Sequence, residues 1–136
     1  MAFSRSAKPK KQRKARYTAP LHARQKLAHA HVSKEAREKA KITARSAGVR
    51  KGDRVKITKG KFSGQAGRVS RVDLGVPRVF VEGAIARKAK GQEVLVGIAP
   101  CNICIMDFDM SDKKRKAILE RKGKAGGAAM SARAPA

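Results

Sequence analysis

The chain has 136 residues, 34 of them Lys or Arg against 10 Asp or Glu, for a formal net charge of +24. That is about one domain of chain, and with 4% aromatics, no Trp and a 41% apolar fraction rich in alanine it lacks the material for a core running its full length. A charge of +24 on so small a body calls for an anionic partner, usually a polyphosphate backbone; no run approaches 18 apolar residues and no apolar stretch follows the early lysines, so neither membrane insertion nor secretion is expected.

Charge divides the chain into three parts: a basic extension over 1–47, a β-barrel over 48–110, and a basic helix with a flexible tail over 111–136. Residues 1–26 hold nine basic and no acidic residues. From Met1 to Ala19 only Phe3 and Tyr17 interrupt a polar run, so ordering it at about 1–2 kcal/mol per residue has no burial to offset it. This arm is expected to be disordered in water and to fold along RNA through Lys10, Lys11, Arg13, Lys14, Arg16 and Tyr17.

Pro20 suits the first turn of a short basic helix, capped by Thr18, with Leu21, Leu27 and Ala28 as an apolar edge among His22, Arg24, Lys26 and His29. Ser33 followed by Glu35 predicts the start of a second short helix reaching about Lys41, carrying Arg37, with a thin apolar face of Val32, Ala36, Ala40 and Ile42. Both helices are expected to dock on RNA or on the following domain.

From Val49 the period becomes alternating. Val55 and Ile57 mark one strand, Val69 to Val72 the next, Val79 to Val81 a third, Glu93 to Ile98 a fourth with Val94, Val96 and Ile98 on one face, and Ile103 to Phe108 a fifth. With Gly75, Gly83, Gly91 and Gly97 at corners, this predicts a mainly β fold, a small and strongly bent barrel. Ser111 and Asp112 open a last helix, Lys113 to Lys122, with Ile118 and Leu119 as contact residues, Lys114, Arg115, Arg121 and Lys122 as its RNA-facing cations, and Gly123 to end it; 124–136 is expected to be a flexible Ala/Gly-rich tail.

The run from Val49 to Val72 is the most informative. Gly52-Asp53 makes a turn before a strand; Gly60, Gly64 and Gly67 allow positive φ and close approach of a phosphate backbone; Lys59, Lys61 and Arg68 supply charge, with Arg50 and Lys51 ahead of them. The spacing resembles the KOW motif throughout, which implies an SH3-like barrel. The motif also occurs in transcription elongation factors, and the flanks decide between them. Tyr17-Thr-Ala-Pro-Leu-His-Ala-Arg-Gln-Lys26, Ser33-Lys-Glu35 with Arg37, Arg45-Ser46, Val81-Glu82-Gly83 and Ile118-Leu-Glu-Arg-Lys122 are similar to the archaeal and eukaryotic branch of large-subunit ribosomal protein twenty-four, called twenty-six in eukaryotic naming. The resemblance implies a structural constituent of the large ribosomal subunit. It would bind large-subunit ribosomal RNA early in assembly, near the nascent-chain tunnel exit, beside neighbouring large-subunit proteins and nascent-chain factors. It also implies a cytoplasmic location, with nucleolar assembly in a eukaryote.

Cys101 and Cys104 form no second pair with which to complete a four-ligand zinc site, and the three histidines lie far upstream, so structural cysteines are expected, with no metal and no cofactor. Asp107 and Asp109 lack an acid-base partner. No catalytic constellation is present, and the alternatives to a ribosomal role are an elongation or other RNA-binding factor, whose usual preceding α/β domain is missing from the 47 residues ahead of the barrel, or an RNA-acting enzyme.

Overall fold

The computed structural model describes residues 5–121. Its elements in chain order are helix α1 (Pro9–Thr18), helix α2 (Leu21–Arg24) running into a 3-10 turn (Gln25–Ala28), strand β1 (His29–Val32), helix α3 (Lys34–Lys39), and strands β2 (Ser46–Gly48), β3 (Arg54–Ile57), β4 (Ala66–Asp73), β5 (Arg78–Arg87), β6 (Glu93–Ile98) and β7 (Ile103–Asp107). Residues 113–121 form a C-terminal helix. The expected end of that helix at Gly123 and the tail lie outside the described residues.

The strands follow from alternation. In β3, Val55 and Ile57 are buried while Arg54 and Lys56 face out, and β7 repeats the pattern with Ile103 and Ile105 inside. The sheet order is β2-β1-β7-β3-β4-β5-β6, every neighbour antiparallel except β1 and β7. A register shift between Val69 and Arg71 in β4, and another in β5 between Phe80 and Ile85, bend the sheet around one core. Val55, Ile57, Val69, Val79, Val81, Ile103 and Ile105 are its largest fully buried hydrophobic side chains, joined by Phe108 and Leu119 from the C-terminal part. This is the mainly β, barrel-like domain that the alternation implies. Beyond Ala84 the β5–β6 hairpin extends past the core, leaving Ile85 and Val94 at 42% and 40% exposure.

Several features were not read from the sequence. Pro9–Thr18 is a helix, although it buries no residue. The helix after Pro20 is a single turn, and His29–Val32 is a strand whose Ala30 and Val32 point into the core. Ser46–Gly48 pairs with it, so the sheet runs across the division drawn at residues 47 and 48. Alanine is the reason: Ala30, Ala36 and Ala47 are all 2% exposed or less, but their small side chains give no strong hydrophobic period. Helix α3 forms as expected, the Ser33 hydroxyl accepting from the Ala36 N–H at 3.1 Å.

Candidate nucleic-acid interface

Strands β3 and β4 are joined by a loop that is built rather than slack. The Gly64 N–H donates to the Ile57 carbonyl and the Ile57 N–H to the Gln65 carbonyl, both at 2.8 Å, while the Ser63 hydroxyl donates to the Thr58 carbonyl at 2.9 Å. Phe62 packs against the core and anchors the loop from below. Gly60 and Gly64 have φ of +104° and +89°, with open space where a Cβ would stand. Lys59 and Lys61 are held outward on this frame.

Gly67 has another role. Its φ is not positive, and a Cβ there would lie 2.5 Å from the Glu82 carbonyl oxygen and 2.9 Å from Val81 Cγ1. The residue lets β5 pass close to β4, and the expectation of a positive φ at Gly67 is corrected to a packing requirement.

The outer side of β3 and β4 carries Arg54, Lys56, Arg68 and Arg71. Arg54 stands in register opposite Arg68, with Asp107 on its other side. Like charges directly opposite one another destabilise a sheet unless an anion covers them. Arg71 lies over the Phe80 ring at 4.5 Å. Sequence reasoning passed over Arg54, Lys56 and Arg71, and also Arg87, Lys88 and Lys90 at the tip of the β5–β6 hairpin; strand alternation and the Gly91 turn were the signals that would have found them.

Ahead of the sheet, α1 displays Lys10, Lys11, Arg13, Lys14, Arg16 and Tyr17, all exposed, with no acid in its first turn. His22 and Lys26 are exposed, as are Arg45, Arg50 and Lys51 nearer the sheet. Arg24 is half-buried and donates to the carbonyls of Ala19, at 2.8 Å, and Tyr17, so it ties the α1–α2 joint together. Arg37 is half-buried near Cys104, and its Nε is buried with no hydrogen-bond partner among the described residues. Lys114 and Arg121 face out from the C-terminal helix, and Lys122 lies outside the described residues.

Arg115 is turned inward. At 4% exposure its guanidinium grips both oxygens of the fully buried Asp53, at 2.5 and 2.6 Å, and reaches the carbonyls of Asp109 and Gly48 at 3.1 and 3.3 Å. It serves the fold, correcting its assignment as an RNA contact. Asp53 also accepts from the N–H groups of Arg50 and Asp109 at 2.8 and 3.1 Å.

All five aspartates are engaged in this way. Asp73 accepts from the Gly75 N–H, Asp107 from that of Phe108, Asp109 from that of Ser111, and Asp112 from that of Lys114 as well as from the Arg50 side chain. The Arg50 contact, aided by the Lys114 N–H, holds the Asp112 carboxyl below the usual range, and the Ser111 bonds do the same for Asp109. Burial raises the Cys104 thiol, against Lys56 and Arg37. No group of His, Cys, Asp and Glu suited to a metal occurs among the described residues, and no helix there is long and apolar enough to cross a membrane. A cleft of about 910 Å³ between β2, β4 and the C-terminal helix is lined by Arg50, Lys51, Arg71 and Arg115 over Val49 and Leu119, without a single carboxylate.

The arrangement is therefore a rigid sheet with cationic hairpins and a cationic helix ahead of it. Residues 6–122 match the family described as ribosomal proteins L26 of eukaryotes and L24 of archaea. The chain is also 43% identical to the large ribosomal subunit protein uL24 of Pyrobaculum islandicum over 124 residues, which covers 91% of this chain and 99% of that protein.

Proposed function

The chain belongs to the ribosomal protein family described as L26 in eukaryotes and L24 in archaea, and from that premise we propose that it is a structural constituent of the large ribosomal subunit, binds large-subunit ribosomal RNA and supports its assembly near the nascent-chain tunnel exit. The observation that carries the RNA-binding part is the division of labour among charges. Every aspartate is turned to a backbone N–H or a neighbouring arginine, while the cations of α1 and of the β3–β4 hairpin stand in solvent.

A surface of this kind suits A-form RNA, whose deep major groove is closed to side chains and which is recognised through phosphates, sugar hydroxyls and shape. Lys59 and Lys61 meet phosphates from a fixed loop, and α1 lies along the backbone where counterion release drives association. Neighbouring large-subunit proteins, with factors that meet the nascent chain, complete the set of partners, and no catalytic step or cofactor is assigned. The test is sedimentation of a tagged full-length chain from cell extract. Quantitative migration with the large subunit is expected; migration with the small subunit or with RNA polymerase overturns the reading.

A further inference from the structure

We propose that Tyr17 is a stacking platform for a single unpaired nucleobase, so that α1 recognises an RNA helix at a bulge or a junction rather than along a continuous duplex. This rests on the RNA-binding reading above and adds a ligand to it. Tyr17 is the chain's one tyrosine, and there is no tryptophan. Among the described residues the other aromatic rings are engaged: Phe108 is buried, Phe62 packs on the core and Phe80 lies under Arg71. Of these rings Tyr17 alone is left in solvent, at 72% exposure.

Its position is nonetheless fixed. Tyr17 closes the last turn of α1, where the Thr18 hydroxyl donates back to the Lys14 carbonyl at 3.0 Å. Immediately after it Ala19 is buried, Pro20 has φ of −64°, and Arg24 clasps the carbonyls of both Tyr17 and Ala19. Two helices and a guanidinium thus hold the backbone under a ring that touches no core. A fixed, exposed aromatic ring at a joint is what a stacking contact requires, since little freedom is left to lose on binding.

The charge beside it names the ligand. Lys10, Arg13, Lys14 and Tyr17 recur at the spacing of one helical face, over about 10 Å of helix axis. Three cations leading to one ring match a phosphate backbone leading to one displaced base. Inside a duplex the base faces are already stacked, so the ring finds a partner only where a base is unpaired.

The test uses two RNA hairpins taken from large-subunit RNA, one fully paired and one differing by a single bulged 2-aminopurine, whose emission falls on stacking. With the full chain at physiological salt, the bulged hairpin is expected to bind about tenfold more tightly and to lose emission. Tyr17→Ala should abolish both effects and Tyr17→Phe should keep them, whereas Lys14→Ala should weaken both hairpins alike. Equal binding of the two hairpins with unchanged emission overturns the stacking proposal and leaves RNA binding standing. A Tyr17→Ala loss that is equal on both hairpins overturns it too, assigning the ring to another contact. Failure to bind either hairpin or whole large-subunit RNA overturns the RNA-binding reading itself.

Discussion

Arg115 and Asp53, 62 positions apart, form a two-pronged ion pair at 2.5 and 2.6 Å that pins the C-terminal helix to the turn before β3. The Phe108 ring lies 5.2 Å from the guanidinium carbon, closing the site from one side. Both Asp53 oxygens and both terminal guanidinium nitrogens have partners, which is the condition under which a buried ion pair is tolerated.

Removing one member should therefore be far worse than removing both. Arg115→Ala leaves a buried, uncompensated carboxylate and is expected to cost about 3–5 kcal/mol, read as a lower urea midpoint at unchanged slope. Asp53→Asn combined with Arg115→Met should recover part of that loss. If Arg115→Ala unfolds at the wild-type midpoint, the pair does not hold the helix.

The two glycines of the hairpin should separate cleanly. Gly67→Val drives side-chain atoms into the Glu82 carbonyl and Val81, and is expected to disrupt the β4–β5 pairing with a loss of more than about 2 kcal/mol. Gly64→Ala meets open space and bears only the left-handed backbone penalty of about 1–2 kcal/mol. Thermal unfolding of the two variants measures the difference.

Lys59→Ala and Lys61→Ala should leave stability within about 0.5 kcal/mol of wild type. Their effect is expected on RNA affinity, with the log-log salt slope shallower by about 0.7–0.9 for each phosphate no longer neutralised. Filter binding across a salt series gives the slope, and an unaltered slope in the double variant removes the hairpin from the interface.

Acid should loosen the start of the C-terminal helix. The carboxyls of Asp112 and Asp109 titrate lower in the folded chain than in the unfolded one, so the stability they lend is complete above the usual carboxylate range. It is lost as pH falls through their lowered folded values, where protonation releases the Arg50 side chain and the Ser111 N–H. Asp112→Asn should flatten the acid side of the stability profile measured by urea unfolding from strongly acidic to mildly acidic pH.

Hydrogen exchange without RNA should distinguish α1 from β1. The first turns of α1 bury nothing and lie away from the Arg24 clasp, so the amides of residues 10–14 are expected to exchange within about tenfold of unfolded rates, whereas the Val32 and Ser33 amides, bonded to Arg45 and Ile105 carbonyls, should be protected. Strong protection over 10–14 would show that the start of the helix is held by the fold and not by RNA.

The strands around Val55 and Val69 were legible because aliphatic residues alternate there with charged or polar ones, and those around Ile98 and Ile105 because short runs rich in Val and Ile stand between turn residues. β1 was not, because His-Ala-His-Val offers one strong apolar residue in four and sits between two helical patterns. The candidate site was legible as charge but not as direction. Lys114 and Arg115 are adjacent cations in the sequence, and only a partner 62 positions away turns one of them inward. The ring of Tyr17 was legible as an aromatic among cations, whereas its fixed joint depends on Arg24 reaching back to two carbonyls.

The parallel pairing of β1 with β7 sets Val32 opposite Ile105, across 73 positions of chain. Synthesis runs from the amino end at about 5–20 residues per second, so the first-made strand waits about 4–15 s for its neighbour. Long-range pairing of this kind also slows folding once the chain is complete. During that interval the α1 segment, which buries nothing against the sheet, is already synthesised and free to meet an anion. The amino-terminal cations are thus available before the body closes, and the last-made strand completes the sheet that the first-made strand begins.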